Sequence, residues 1–135
     1  MAIFIKLHEN KFGNEKLRGK WFAKIVRTGE IDIDEMAERI QRNTTFKTGE
    51  VRGILIELIE EMKKCLQEGN TVNLNGLGRF HLTIESNHVD NPKNFRTDHD
   101  IKSIKCKFKP MGHKCDDGRL EQVIAKGTKV KRWKE

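Results

Sequence analysis

Residues 72–82 read Val-Asn-Leu-Asn-Gly-Leu-Gly-Arg-Phe-His-Leu, and no other stretch of the chain is as informative. Apolar and polar residues alternate on both sides of the glycine pair, which is the pattern of two β-strands joined by a tight turn. A nucleotide-binding loop is the rival interpretation. A dinucleotide fingerprint, however, needs a third glycine and a following helix, and a P-loop needs Gly-Lys-Ser/Thr. The stretch therefore predicts a β-turn between strands.

Two amphipathic helices are predicted before this turn. Asp32 and Glu35 have the spacing of a capping box, and apolar residues then recur at helical spacing up to Ile40. A second helix continues to Gly69, a typical helix terminator. Its apolar stripe comprises Val51, Ile54, Leu55, Leu58, Ile59, Met62, Cys65 and Leu66. Because this stripe is wide for a small core, we expect part of it to be buried against a second subunit.

The flanking segments complete an α+β fold. Residues 2–7 and 20–27 are rich in β-formers and predict two extra N-terminal strands, and residues 101–110 predict a strand after the polar segment 86–100. We expect a short helix that starts at Asp116-Asp117, and a basic tail that forms an edge strand or stays free. The predicted fold is a helical hairpin packed on an antiparallel sheet with a protruding β-arm. The predicted divisions are a 1–30 extension, a 31–125 domain and a 126–135 tail.

The charge of the chain favours a polyanionic partner. The formal net charge is +7, with 27 Lys and Arg against 20 Asp and Glu, and the excess lies outside the acidic helical region 31–70. Three cysteines are too few for a disulfide framework and fit a reducing compartment, so we expect a cytoplasmic protein. The sequence has no run that predicts a membrane span or a signal peptide.

An ordered set of motifs resembles one family. The set consists of Leu74, the run from Gly76 to Phe80, an Asn91-Pro92 pair and Phe108-Lys109-Pro110. In this order and spacing the chain resembles the HU/IHF family of bacterial histone-like DNA-binding proteins, in a longer subgroup with an N-terminal extension. The resemblance implies a dimer, here expected to be a homodimer, whose β-arms reach around duplex DNA in the nucleoid.

The candidate DNA contacts fall mainly on the sheet. The backbone at Gly76 and Gly78 could approach a phosphate closely, although an ordinary hairpin turn explains these glycines equally well. The candidate cations on or beside the strands are Arg79, Lys102, Lys105, Lys107 and Lys109, with Lys114 following. Alternation places residues 105, 107 and 109 on one face, which favours phosphate contacts over a merely solvated face.

The 86–100 segment is a weaker candidate. Pro92 falls where the family's intercalating proline would lie, and Lys93 and Arg96 follow it. Three aspartates in the same segment outnumber these cations, so a loop proline without a DNA partner is the favoured interpretation. Thr83 and Glu85 stand where the resemblance implies arginines. The second hypothesis is therefore an HU-like protein-interaction or structural module with weakened DNA binding.

Other chemistry finds little support in the sequence. Cys106, His113 and Cys115 include metal-ligand types, but they lack a Cys-x-x-Cys pair, so structural cysteines are favoured over zinc. No nucleophile and base pattern appears, and we predict neither an enzyme nor a cofactor, small-molecule substrate or membrane partner. Trp21 and Phe22 are adjacent on a predicted strand, so one of them is expected to enter the core.

Overall fold

The computed structural model describes residues 1–134, which form two compact units. The first unit comprises Met1–Ile31 together with the residues from Ala125 onward. Its sheet has the order β2-β1-β8, built from β1 (Ile3–Glu9), β2 (Trp21–Val26) and β8 (Val130–Arg132). The two N-terminal strands pair antiparallel, as predicted, and β8 adds a parallel edge strand to β1.

The first unit is a single sheet layer with aromatic side chains on its surface. Trp21 and Phe22 do point to opposite faces, since Trp21 lies opposite Glu9 and Phe22 lies opposite His8. Both are exposed, at 64% and 41%, so the expectation that one would enter a core is wrong for the single chain. The physical reason is that no second layer of this unit covers the sheet within the described residues.

The second unit, Asp32–Ile124, begins with the helical hairpin. Helix α1 (Ile33–Arg42) starts at Asp32, whose side chain accepts a hydrogen bond from the Glu35 amide at 2.9 Å. Helix α2 (Thr48–Gln67) ends before Gly69, which has φ of 91° and donates its amide to the Leu66 carbonyl. Arg52 on α2 donates to Asp34 on α1 at 2.6 Å. These signals of helix start and end act as the sequence predicts.

An antiparallel sheet of three strands follows the helices. It has the order β3-β4-β5, with β3 (Val72–Leu74), β4 (Gly78–Ser86) and β5 (Ile101–Pro110). The predicted fold class is thus confirmed. The long β4–β5 ladder runs from Gly78 opposite Pro110 to Ser86 opposite Ile101, with a register shift at Glu85 and Ser86. The connection from residue 87 to 100 contains one short 3₁₀ helix, Pro92–Asn94.

The predicted short helix at Asp116-Asp117 is wrong. This region forms a β-hairpin of β6 (Gly112–Lys114) and β7 (Leu120–Gln122). Asp117 caps the turn, not a helix, because its carboxylate accepts from the Arg119 amide at 3.0 Å. Gly118 has φ of 83°, a conformation that glycine adopts readily and that closes the turn.

The core of one chain is small. Ala37 and Val51 are the buried apolar residues among residues 1–134, while Ile54, Leu58 and Ile59 on α2 stay at least 40% exposed. An exposed apolar surface of this kind usually marks an interface.

No helix in the described part of the chain combines the length and the apolar character that crossing a membrane requires.

Candidate nucleic-acid interface

One face of the β4–β5 ladder carries a cluster of cations. The register places Arg79 opposite Lys109, His81 opposite Lys107 and Thr83 opposite Lys105. Directly opposed residues of an antiparallel pair point to the same face of the sheet. We call Arg79, Lys105, Lys107 and Lys109 the basic face. All four are exposed, and within residues 1–134 none has a carboxylate within 4.0 Å of its charged group.

The opposite face of the same ladder is apolar. Phe80 lies opposite Phe108, Leu82 opposite Cys106, and Ile84 opposite Ile104. The two phenylalanine rings stack with centroids 4.6 Å apart. This apolar side fixes the register, because a slip by one residue would exchange the two faces. The basic face therefore lies on the side of the sheet away from α2.

Glycine occupies positions 76 and 78 for different physical reasons. Gly78 is buried with φ of 156°, and a Cβ there would overlap the Lys109 carbonyl oxygen and lie 2.6 Å from the Phe108 ring. Close approach of β5 therefore requires glycine at position 78. Gly76 has φ of 93°, and a Cβ there would meet nothing within 4 Å. Of the two predicted phosphate-approach positions, Gly76 lies at an open surface and Gly78 lies against β5.

Sequence reasoning missed two polar neighbours of the basic face. Asn73 on β3 lies opposite Arg79, so Asn73, Arg79 and Lys109 stand side by side across three strands. Together with the backbone of residues 110–112 they line a groove of about 530 Å³. His81 shares the same face one pair further along the ladder. Alternation from Arg79 would have identified His81, whereas Asn73 required the strand register.

The far end of this face is not basic. Glu85 lies opposite Ser103, whose hydroxyl donates to the Glu85 carboxylate at 3.4 Å. Thr83 is opposite Lys105, and its hydroxyl approaches the Lys105 carbonyl oxygen at 3.5 Å. The positive charge thus ends where the 87–100 connection begins.

The two cations of the 87–100 connection differ in their contacts. Arg96 makes two hydrogen bonds to the Asp98 carboxylate, at 3.2 and 2.9 Å. Pro92 and Lys93 are exposed, in a 3₁₀ turn that the Asn91 side chain caps by accepting from the Lys93 amide at 3.0 Å. Pro92 and Lys93 therefore lie together at the surface, whereas Arg96 is paired with Asp98 within the loop.

A buried carboxylate organises the same connection. Asp100 is 8% exposed, and it accepts from the Arg96 amide at 2.7 Å and from the Asn87 side chain at 3.3 Å. The hydrogen bond from the Arg96 amide is the main cause that lowers the pKa of Asp100. Burial opposes this effect, and the contacts with Asn87 and His99 lower the pKa further. Asp100 therefore stays ionised at neutral pH and ties the loop to its own ends.

Two predicted cations lie apart from the basic face. Lys102 falls at the register shift of the β4–β5 ladder and has no opposed partner on β4. Lys114 belongs to the separate β6–β7 sheet, opposite Leu120. Both are exposed.

An apolar groove of about 610 Å³ lies between α2 and the apolar face of the sheet. Its lining includes Ile59, Met62 and Leu66 from α2, and Phe80, Leu82 and Ile104 from the sheet. The exposure of so much apolar surface leaves both α2 and this side of the sheet incompletely covered in a single chain.

Comparisons with known proteins agree with this architecture. Residues 1–122 match the family HU-HIG, described as an HU domain fused to a wHTH, Ig or glycine-rich motif. No curated protein sequence matches the chain.

Two solved structures are similar. One is a candidate DNA-binding protein from Bacteroides vulgatus ATCC 8482, with 20% identity, a TM-score of 0.60 and coverage of 97% of this chain. This chain spans 47% of the length of that protein. The other is Anabaena HU in complex with DNA, with 16% identity and a TM-score of 0.42, covering 58% of this chain and 85% of that one. The family match over residues 1–122 shows that the chain belongs to the HU-HIG family.

Proposed function

We propose that this chain binds duplex DNA through phosphate contacts, with little sequence preference, and bends or compacts it. The observation that carries the proposal is the basic face, where four exposed cations lie on one side of the β4–β5 ladder. Three of the four cations are lysines, which contact phosphate as point charges, so backbone contacts would dominate.

The spacing of the basic face suits a phosphate backbone. Successive lysines of β5 are two residues apart, which corresponds to about 6.8 Å along a strand. The phosphates of one DNA strand are also regularly spaced, with a rise of about 3.4 Å each along the helix axis, so an evenly spaced row of lysines can meet successive phosphates. Lysine side chains are long and flexible enough to absorb the remaining mismatch.

We also propose that the functional unit is a homodimer associated with the nucleoid. The apolar groove and the exposed residues of α2 are surfaces that a second copy would cover. Removal of apolar area from water is the main driving force for such an assembly. Light scattering during gel filtration should give twice the 15.7 kDa of one chain. A single 15.7 kDa species at micromolar concentration would remove the dimer from the proposal.

Fluorescence anisotropy with a labelled random-sequence duplex of about 30 base pairs tests DNA binding at several salt concentrations. We expect binding that weakens steeply with salt. The variant Lys105→Glu/Lys107→Glu should bind at least about 100-fold more weakly, because it replaces attraction by repulsion at the phosphates.

The matched control is Lys11→Glu/Lys16→Glu, which changes the net charge equally in the exposed β1–β2 connection. It should bind within about threefold of the wild type if the contacts lie on the basic face. Equal losses in the two variants would show that only overall charge matters. Absence of binding at low salt, with the protein folded and dimeric, would reject the proposal.

The alternative function is a protein-interaction or structural module that retains the HU-like fold. The observations that favour it are Glu85 at the end of the basic face and the pairing of Arg96 with Asp98. In that case the exposed first-unit sheet, with Trp21 and Ile25 on one side, would bind the partner. Salt-independent binding to a protein, without binding to DNA, would support this alternative.

A further inference from the structure

Three potential metal ligands of different chemistry meet on the β6–β7 hairpin. The His113 imidazole, the Cys115 thiol and the Glu121 carboxylate have their ligand atoms within 4.8 Å of one another. His113 Nε2 lies 3.2 Å from Glu121 Oε2, and Cys115 Sγ lies 3.7 Å from the same oxygen. None of these residues belongs to the basic face or to the apolar groove.

The two separations that involve Glu121 agree with a tetrahedral zinc site. Bonds of about 2.0–2.1 Å to nitrogen, 2.0–2.2 Å to oxygen and 2.3 Å to sulfur imply a nitrogen–oxygen separation of about 3.4 Å and a sulfur–oxygen separation of about 3.6 Å. The observed separations of 3.2 and 3.7 Å require little movement. The Cys115 thiol donates a hydrogen bond to the same carboxylate oxygen that the His113 ring contacts, so both side chains converge on one atom.

The backbone of the hairpin holds the three residues in place. His113 lies directly opposite Glu121, and Cys115, two residues after His113, follows on the same side. The Cys115 amide donates to the Arg119 carbonyl oxygen at 2.7 Å, and the Gly118 amide donates to the Cys115 carbonyl oxygen at 2.9 Å. Gly112 fixes the register, since a Cβ there would lie 2.7 Å from the Glu121 carbonyl oxygen.

We propose that His113, Cys115 and Glu121 form a Zn²⁺ site, with water as the fourth ligand. His113 is exposed and Cys115 and Glu121 are half-buried, so the fourth position can face solvent. The thiol proton is released to solvent as the zinc–sulfur bond forms. The ion joins β6 to β7 and stabilises a two-stranded hairpin, which is a marginal structure by itself.

Titration of the reduced full-length protein with Co²⁺ tests this site spectroscopically. We expect a thiolate-to-cobalt charge-transfer band and the intense visible bands of tetrahedral cobalt, saturating at one ion per chain and abolished by added Zn²⁺. Cys115→Ser should lose the charge-transfer band. Glu121→Gln should weaken Co²⁺ binding by at least about tenfold, because even the loss of a group that only supports a ligand has an effect of that size.

Cys106→Ser is the matched control, because Cys106 is an exposed cysteine of the same unit outside the cluster. It should retain the full charge-transfer band. An unchanged band in Cys115→Ser, an equal loss in Cys106→Ser, or no band in the wild type would each overturn the proposal. Circular dichroism of each variant checks the fold, and NMR shifts on adding Zn²⁺ to the wild type should concentrate in residues 112–123.

Discussion

The β4–β5 ladder and the 87–100 connection both carry cations, but aspartates accompany the cations only in the connection. On the ladder, Lys105, Lys107 and Lys109 share a face whose opposite side is apolar. In the connection, Arg96 is paired with Asp98, and Asp100 organises the backbone. The difference teaches that a count of lysines and arginines does not measure the field that a partner meets, because nearby carboxylates cancel it.

The largest expected effect concerns the integrity of the ladder. Gly78→Ala should lower the free energy of unfolding by about 3 kcal/mol, because the new methyl group overlaps β5 at a strained φ. Gly76→Ala, in open space, should cost about 1 kcal/mol from its positive φ alone. Urea denaturation measures both. Equal losses would show that β5 relaxes and that close approach does not determine Gly78.

The second prediction compares DNA binding by the β4–β5 ladder with DNA binding by the 87–100 connection. Lys105→Ala/Lys107→Ala should weaken binding to random-sequence duplex by at least about tenfold and reduce the salt slope by about one for each lysine removed. Lys93→Ala/Arg96→Ala removes the same charge from the connection. It should change affinity by about twofold at most, because Arg96 is already paired with Asp98 and Lys93 stands among three aspartates that oppose phosphate. A larger loss in the second variant would reverse the comparison and restore an arm-based mode of binding.

A smaller gain is expected from Glu85→Gln. This carboxylate stands at the end of the ladder and opposes phosphate, so its neutralisation should tighten DNA binding by about threefold at low salt. Glu15→Gln in the exposed β1–β2 connection is the control for net charge. The same gain in both variants would mean that the position of Glu85 is irrelevant.

The smallest effect is local to the connection. The pKa of Asp100 is lowered in the folded chain. The stabilisation that its carboxylate gives the folded loop is therefore fully present above the unfolded pKa of about 3.9, and it is lost as pH falls through the lower folded pKa. Protection of the Arg96 amide in NMR hydrogen exchange should hold from pH 6 to about pH 4 and fall below it.

Asp100→Ala should lose this protection at every pH, and Asp98→Ala should retain it, since Asp98 contacts only the Arg96 side chain. Persistent protection in Asp100→Ala would show that the loop does not depend on this carboxylate.

The local signals of the sequence were sufficient for most of the elements. Asp32 and Gly69 mark the start of α1 and the end of α2, and alternation identifies the strands. The helix predicted at Asp116-Asp117 does not form because acidic residues also favour turns. The pairing of β7 with β6 outweighed the helix propensity of this segment. The parallel pairing of β8 with β1 joins residues more than 120 positions apart, which no local pattern encodes.

The sequence by itself determined the α+β order, the alternation of the β4 and β5 strands and an excess of positive charge, because these depend on residue type and short spacing. Only the tertiary structure decided which charges remain free and which polar groups meet. Arg96 is neutralised by a loop conformation, and Glu121 reaches His113 and Cys115 through a hairpin register. Coulombic and ligand contacts act over a few ångströms in space, and proximity in space follows the fold and not the spacing along the chain.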